Sequence, residues 1–399
     1  MENPSGLMSD PLHLIDKEYR GMKEVGKKAI KVIAKLADEL LERHEKIKIM
    51  HVCGTHEDTV TRFGLRNLMP KGIQLVAGPG CPVCVTPASV IDSAIELGKE
   101  GVRIYTYGDL YRVPGSKESL SSVKSSYGCD VRIVYGFQDA IKSFDGKKSV
   151  FLGVGFETTA PTTATMIVGG KVPRGISFIS AYRLTAPGLN HAMMLHEERG
   201  IPLKGVIAPG HVSSIIGAKS WSYLADHYGL PVVVAGFEPL DYVLAILEIL
   251  IQIKEGRVKL VNEYKRVVRW EGNIKAWNYV MRAFSVVDAY WRGIGILKGS
   301  GLLLKDEFSS YDAVKEYSLN LRNEGEDLPA GCKCAEITLG LAIPTDCPHF
   351  NKSCTTSHPL GPCMVSREGT CNVWARHGGY ELISELLEEI EFERSGMGN

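Results

Sequence analysis

The sequence predicts an α/β protein with two parallel-sheet lobes around a cleft, followed by a mostly helical, cysteine-rich C-terminal domain. Two observations support this prediction. Eight short apolar runs rich in β-branched residues alternate with segments of helical periodicity, which is typical of parallel α/β sheets. Six of the ten cysteines lie near the end of the chain, between Cys332 and Cys371.

The elements are predicted in chain order. Residues 1–14 lack periodicity and are expected to form a frayed tail, whereas apolar spacings of three and four predict a helix over residues 15–44. The eight predicted strands are residues 47–52, 73–77, 102–107, 131–135, 149–154, 176–180, 205–208 and 231–235. The predicted helices include residues 88–99, 189–199 and 240–256, a mostly helical region to about residue 320, and an acidic amphipathic helix over residues 380–393.

These elements suggest four parts of the chain. The turn Asp145-Gly146-Lys147 divides the eight strands into two groups of four. We therefore expect an N-terminal tail and helix over residues 1–45, a first lobe over 46–145, a second lobe over 146–256, and a helical and iron–sulfur domain over 257–399.

Composition excludes two classes of partner. Lys+Arg and Asp+Glu both count 46, so the chain has no basic field for nucleic acid and no polybasic membrane anchor. Its most apolar stretch, residues 243–253, is shorter than the roughly 20 residues that span a bilayer. The first forty residues contain no apolar signal segment, so we expect a cytoplasmic protein, in which clustered cysteines favour metal or redox chemistry over structural disulfides.

Polar motifs follow five of the predicted strands. Because the carboxyl ends of parallel strands meet at one edge of a sheet, we expect these motifs to share one cleft between the lobes. The motifs begin at Cys53-Gly-Thr-His56, Gly78-Pro-Gly-Cys81-Pro-Val-Cys84, Gly155-Phe-Glu157, Pro209-Gly-His211 and Gly236-Phe-Glu238. No glycine pattern of a nucleotide-binding loop follows a strand, so no nucleotide cofactor is expected.

Each motif also has a structural interpretation. Cys53 and His56 combine a soft thiolate with an imidazole, a composition that suits iron, zinc or copper, or Cys53 could pack as a small apolar residue. Cys81 and Cys84 suit a redox pair at a helix start, or half of a zinc knuckle. Glu157 and Glu238 could act as bases or as partners of metal ligands. Alternatively, they could lie beside helix starts that Thr158 and Asp241 cap. His211 could be a hydrogen-bonded turn residue.

The six cysteines of the tail are Cys332, Cys334, Cys347, Cys354, Cys363 and Cys371. Their spacing matches no zinc-ribbon or ferredoxin template. Four thiolates complete the ligand set of an iron–sulfur cluster or of a structural zinc, and two remain. A cluster is favoured because two thiols beside it could form a redox-active disulfide, whereas zinc leaves them unexplained.

Four strings resemble the HypD family of hydrogenase maturation factors. They are Val-Cys53-Gly-Thr-His56, Gly-Pro-Gly-Cys81-Pro-Val-Cys84-Val-Thr-Pro, Gly-Phe-Glu157-Thr-Thr-Ala-Pro and Gly-Pro-Cys363-Met-Val-Ser-Arg-Glu-Gly-Thr-Cys371. The resemblance extends from about residue 47 to residue 376. It implies assembly of the iron–dicyanide–carbonyl centre of nickel–iron hydrogenases, with the small chaperone HypC as partner and HypE as the cyanide donor.

The resemblance also implies roles for single residues. Cys53 would hold the iron together with the partner's N-terminal cysteine, beside His56. Cys81 and Cys84 would be the pair of the thioredoxin-like cleft motif. In the tail, the ligands of a 4Fe–4S cluster would be Cys332, Cys347, Cys354 and Cys371, and Cys334–Cys363 would be a redox disulfide. One departure exists at Glu57, where many members of the family carry His or Thr, so the role of Glu57 is open.

Three hypotheses follow. In the first, the chain is a redox-active scaffold in which iron with cyanide and carbonyl ligands is transiently held at Cys53 and His56. Electrons from the cluster pass through Cys334/Cys363 to Cys81/Cys84, and Glu157 is a further candidate catalytic residue. In the second, the chain is a cluster-dependent disulfide reductase that acts on a partner protein without iron at Cys53. In the third, it is a zinc-stabilised binding module.

Overall fold

The computed structural model describes residues 11–321 and 327–378. The strands are β1 Ile47–His51, β2 Ile73–Ala77, β3 Arg103–Thr106, β4 Val131–Ile133, β5 Ser149–Gly155, β6 Ile176–Tyr182, β7 Gly205–Pro209, β8 Val232–Ala235, β9 Leu260–Asn262, β10 Phe284–Trp291 and β11 Gly295–Leu304. The first eight helices are α1 Pro11–Leu41, α2 Gly54–Arg62, α3 Ala88–Lys99, α4 Gly108–Tyr111, α5 Leu120–Tyr127, α6 Phe137–Lys142, α7 Ala160–Val168 and α8 Thr185–Glu198. The others are α9 Gly210–Ile216, α10 Ser222–Asp226, α11 Pro239–Glu255, α12 Ile274–Ala283, α13 Ala313–Glu316, α14 Cys334–Thr338, α15 Pro362–Val365 and α16 Thr370–His377.

Two parallel sheets form the body of the protein, and all eight predicted strands are present in them. The first sheet has the order β2-β1-β7-β8-β9, and the second has the order β4-β3-β5-β6. Every residue of β5 and β7 is buried, because helices cover both faces of a parallel sheet. The predicted α/β architecture with two parallel sheets is therefore confirmed.

The distribution of strands between the sheets differs from the prediction. The chain leaves the first sheet after β2, builds the whole second sheet, and returns to the first sheet at β7. Strands β3 and β5 are neighbours, with Arg103 opposite Ser149, so a division of the strands at residues 145–147 is wrong. The Arg103 guanidinium bonds both Asp130 and Asp145, and this ion-pair network joins the two loops across the expected break.

Each sheet has one point at which the strand order reverses. In the first sheet this point lies between β1 and β7, and in the second between β3 and β5. Ligands of open parallel sheets bind beyond the carboxyl ends of the strands at such points. In the first sheet, the segment that follows β1 at this point begins with Val52 and Cys53.

The N-terminal helix is confirmed, with a start at Pro11 and an end at Leu41. It packs against α11, which begins at Pro239, one residue before the predicted start at residue 240. Ile33, Leu36 and Leu40 are buried in this contact, which closes one face of the first sheet. No helix in residues 11–321 or 327–378 is both long and apolar enough to cross a membrane.

The region after α11 contains strands that the sequence analysis did not predict. Strand β9 joins the first sheet, and β10 pairs with β11 in an antiparallel hairpin. The aromatic and β-branched residues of 284–291 favour a strand. Gly293, with positive φ, lies in the turn, and Gly295, also with positive φ, begins β11. A mostly helical region up to residue 320 is therefore wrong.

The cysteine-rich tail consists of loops and the short helices α14, α15 and α16. Its thiols belong to the same apolar core as Ile104 of β3 and Val150 of β5, so the tail is packed onto the second sheet rather than separate from it. The predicted acidic helix over residues 380–393 lies outside the described residues.

Candidate functional site

A small cavity brings together cysteines from three distant parts of the sequence. It has a volume of about 10 Å³, roughly the room of one water molecule. The lining residues are Cys53, Gly54, Glu57, Ala77, Gly78, Cys81, Cys84, Thr338, Cys363, Glu368 and Thr370. Strand ends β1 and β2 form one side of the cavity, and the cysteine-rich tail forms the other.

Cys53 lies directly between β1 and α2. Its backbone is extended, and the helix begins at the next residue, so the thiol is fixed at the carboxyl end of the strand. Burial, and next the neighbouring Glu368 carboxylate, raise the pKa of the Cys53 thiol to about 11. The thiol is therefore neutral at pH 7, and a bound cation would favour the thiolate.

At two glycines, the backbone segments that form the cavity walls lie in close contact. A Cβ atom on Gly80 would lie 2.5 Å from the Cα of Cys53, and one on Gly54 would lie 2.2 Å from the carbonyl oxygen of Glu368. Larger residues do not fit at either position without a shift of the backbone. The Cys53 motif, the Cys81 loop and the loop that carries Glu368 are thus in direct contact.

Cys81 and Cys84 form a disulfide with a Cα–Cα distance of 5.3 Å. The expected position at a helix start is wrong, because the pair lies in a turn and α3 begins only at Ala88. Pro87, not Pro82, precedes the helix, so the helix dipole does not act directly on these sulfurs. Both residues are buried, at 5% and 3% exposure.

The six thiols of the tail lie in one group. Cys334 contacts both Cys332 and Cys363, and the backbone N–H of Cys371 donates to Cys363 Sγ at 3.2 Å. A Cβ atom on Gly361 would lie 2.7 Å from Cys334 Sγ, so only glycine allows this approach. Cys334 and Cys363 are free thiols in mutual contact, and their pairing as a redox disulfide remains a prediction.

The donor set of the tail fits the chemistry of an iron–sulfur cluster. Five of the six thiols are buried, and the buried Arg292 guanidinium lies near Cys332 and Cys334, where it would partly balance thiolate charge. Within residues 11–321 and 327–378, no three His, Cys, Asp or Glu side chains are arranged to hold a single metal ion. The ligand set Cys332, Cys347, Cys354 and Cys371 remains a prediction.

His56 is buried near Cys53 but does not line the cavity. Its Nε2–H donates to the carbonyl oxygen of Gly236 at 2.8 Å, which leaves Nδ1 as an acceptor without a hydrogen bond. The ring stacks on Phe237, which in turn stacks on His211. Burial, and next His51, lower the pKa of His56 to about 3, so the ring is neutral. Its role as an iron ligand remains a prediction.

The other strand-end carboxylates lie elsewhere. Glu157 accepts hydrogen bonds from the backbone N–H and the hydroxyl of Thr185 at 2.8 and 2.6 Å, and it does not line the cavity. It anchors the start of α8 at the second sheet, so one cleft shared by all five motifs is wrong. Glu238 caps α11 together with Asp241, as the structural interpretation predicts.

Sequence reasoning missed three residues of the site from the tail: Thr338, Glu368 and Thr370. Burial, and next Asp109, raise the pKa of Glu368 to about 7. Glu368 and Thr370 stand between Cys363 and Cys371, in a string that the family resemblance already contains. Glu57, whose role the sequence left open, also lines the cavity.

The comparisons with known proteins agree on one family. Residues 15–378 match HypD, described as "Hydrogenase formation hypA family". A protein of Methanocaldococcus jannaschii named for hydrogenase expression and formation is 44% identical over 356 residues, which cover 88% of this chain and 96% of the relative. The hydrogenase maturation factors HypD2 of Bradyrhizobium diazoefficiens and HypD of Rhizobium leguminosarum bv. viciae are 39% and 37% identical; the matches cover 84% and 95% of this chain and 90% and 98% of the relatives.

Proposed function

The chain belongs to the HypD family of hydrogenase maturation factors, and we propose that it is the redox-active scaffold on which the iron–dicyanide–carbonyl centre is assembled. HypC would be its partner and HypE the source of cyanide, in the cytoplasm. The observation that carries the proposal is the single cavity that Cys53, the Cys81–Cys84 disulfide and Cys363 share.

Cys53 is the residue that binds the iron as it is assembled. Its thiol is buried and neutral, so loading of iron displaces its proton and leaves a thiolate that the metal stabilises. The cavity has room for about one water-sized group, so the iron and its diatomic ligands require the partner to complete the site from outside. A second thiolate from HypC would serve this purpose.

The Cys334/Cys363 thiols exchange with the Cys81–Cys84 disulfide. Cys363 attacks the Cys81–Cys84 disulfide, and Cys334 then releases the mixed disulfide. One S–S bond breaks and one forms, so two electrons and two protons move from Cys334 and Cys363 to Cys81 and Cys84. A 4Fe–4S cluster held by Cys332, Cys347, Cys354 and Cys371 would supply single electrons, taken from a low-potential one-electron donor, that restore the Cys334/Cys363 dithiol.

A cluster-dependent disulfide reductase that acts on a partner protein would use the same thiols. The low exposure of Cys81 and Cys84 argues against this second function, because a disulfide of a partner protein cannot reach buried sulfurs without opening of the cavity. The two functions differ at Cys53, which only the scaffold requires.

The test is Cys53→Ala in complex with HypC, purified without oxygen. The variant should keep the fold and the iron and sulfide content of the tail, but it should lose the infrared bands of iron-bound cyanide and carbonyl and the maturation of hydrogenase. Cys129→Ala is the matched control, because Cys129 is also a buried free thiol but packs in the core away from the cavity. Full maturation by Cys53→Ala would refute the scaffold and favour the reductase.

A further inference from the structure

The side chain of Glu57 is a buried carboxylate whose two oxygens each accept two hydrogen bonds. Oε2 accepts from His51 Nε2 at 2.8 Å and from Arg66 Nη2 at 2.6 Å. Oε1 accepts from the Thr61 hydroxyl at 2.8 Å and from Trp374 Nε1 at 2.7 Å. Four acceptor positions are what a carboxylate offers, so each is filled.

These donors belong to separate parts of the molecule. His51 ends β1, Thr61 lies in α2, and Trp374 lies in α16, the helix that contains Cys371. The network extends further, since the Tyr242 hydroxyl of α11 donates to His51 Nδ1 at 2.8 Å. Glu57 therefore connects the helix that begins beside Cys53 with the helix that carries a predicted cluster ligand.

The partners of Glu57 stabilise its ionised form. Burial alone would raise the pKa of Glu57, but the Arg66 guanidinium and the hydrogen bond from His51 hold that pKa well below its usual range. An ion pair in the interior costs desolvation, and apolar side chains of the same volume would often be at least as stable. Its directional bonds fix a geometry that apolar packing would leave less defined.

We propose that Glu57 is a positioning residue: by joining α2 to α16 it sets the separation between the sulfurs of Cys363 and of the Cys81–Cys84 pair across the cavity. This inference rests on the proposed function. It assigns Glu57 no contact with iron and no proton transfer. The carboxylate of Glu57 reaches the tail through the bond from Trp374, while Arg66, His51 and Thr61 hold it at the first sheet. The neighbouring Asp58 also joins α2 to α16, through bonds with Arg376 Nη2 at 2.9 Å and His377 Nε2 at 3.0 Å.

Two substitutions separate the link from the charge. In Glu57→Gln, one oxygen becomes an NH2 group, so either Arg66 or Trp374 faces a donor whichever way the amide is turned, and neither side chain can accept a hydrogen bond. Trp374→Phe removes only the bond between Glu57 and α16 and leaves the bonds of Asp58 with Arg376 and His377. It keeps the charge of Glu57 and a ring beneath Arg66, whose guanidinium carbon lies 5.2 Å from the ring centre.

The experiment follows electron transfer inside the full chain with its cluster reconstituted. Dithionite reduces the tail, the reaction is quenched with an alkylating agent, and mass spectrometry counts free Cys81 and Cys84 over time. At equal iron and sulfide content, both variants should reduce the Cys81–Cys84 disulfide roughly tenfold to 100-fold more slowly, since displacements of about 1 Å have such effects. Asp130→Asn, which removes an arginine-bound carboxylate of the second sheet, should match the unsubstituted protein.

The outcomes are separable. Rates equal to the unsubstituted protein in both variants would overturn the positioning role. A slow Glu57→Gln beside a normal Trp374→Phe would overturn it too, because the effect would then arise within the first sheet and not from the link to α16. If Glu57→Gln fails to fold, Trp374→Phe still decides the question. If the unsubstituted protein itself does not reduce Cys81–Cys84, the proposed function fails, not the assignment of Glu57.

Discussion

Gly80→Ala tests whether the geometry of the cavity depends on direct contact between its two strand-end motifs. The missing Cβ of Gly80 would lie 2.5 Å from Cys53 Cα and 2.6 Å from Cys53 N, whereas ordinary contacts begin at 3.4 Å. These neighbours are backbone atoms, so no rotation of a side chain can relieve the overlap. The loop that carries Cys81 and Cys84 must move away from Cys53 by about 1 Å.

The loss of unfolding free energy depends on which segment is displaced to relieve the overlap. β1 and β2 are paired up to His51 and Ala77, so the strands resist the displacement and the loop after Ala77 takes it up. Overpacking of this kind costs about 1–3 kcal/mol in the free energy of unfolding. The same displacement separates Cys53 from the Cys81–Cys84 pair, which we expect to reduce iron retention in the HypC complex by roughly tenfold or more.

Urea unfolding measures the first effect, and infrared spectra of the purified complex measure the second. Gly136→Ala is the matched control: Gly136 has an extended backbone with φ −174° and no atom within 4 Å of a Cβ. The control should stay within about 0.5 kcal/mol of the unsubstituted protein. If Gly80→Ala equals Gly136→Ala in both measurements, contact between the motifs does not define the site.

Two further predictions concern the tail. Cys347→Ser should remove the iron and sulfide of the tail, since loss of one thiolate breaks the proposed ligand set; unchanged iron and sulfide content would show that the ligand set is wrong. Glu368→Gln should flatten the pH dependence of stability between pH 4.5 and 7. The pKa of Glu368 is raised from 4.5 to about 7 in the folded state, so its contribution to stability is complete below pH 4.5. The unsubstituted protein should lose roughly 3 kcal/mol of unfolding free energy as the pH rises from 4.5 through 7. Equal slopes of unfolding free energy against pH for both proteins would contradict this account.

The strands could be predicted from the sequence, but their assembly could not. Buried β-branched runs identify β1 to β8 because parallel strands covered on both faces must be apolar throughout. Pairing depends on contacts between distant residues, such as Arg103 with Asp130 and Asp145, which no local pattern reveals. The hairpin β10–β11 was missed because its glycines weaken the strand signal, although residues 284–291 carry it.

In the candidate site, too, some residues could be predicted from the sequence and others only from the fold. Cys53 and the Cys81–Cys84 pair were expected together because each follows a strand end of one parallel sheet, and β1 and β2 are indeed adjacent. Glu157 has the same sequence context but belongs to the other sheet, where it bonds Thr185. Glu368 and Trp374 reach the site from the tail, and only the folded contact with Gly54 and Glu57 identifies them.

Because the tail supplies Thr338, Cys363, Glu368 and Thr370, the cavity is complete only when the tail is folded against α2. Under the proposed function, a variant that loses the tail cluster would lose iron at Cys53 for one of two reasons: the electrons are missing, or one wall of the cavity is missing. Cys347→Ser alone cannot separate them. Gly80→Ala and Trp374→Phe can, since each leaves all six tail thiols in place and alters one contact, the first at Cys53 and the second between α2 and α16. Loss of iron in the first with slow disulfide reduction in the second would mean that the two strand-end motifs form the metal site and that the docked tail serves electron transfer.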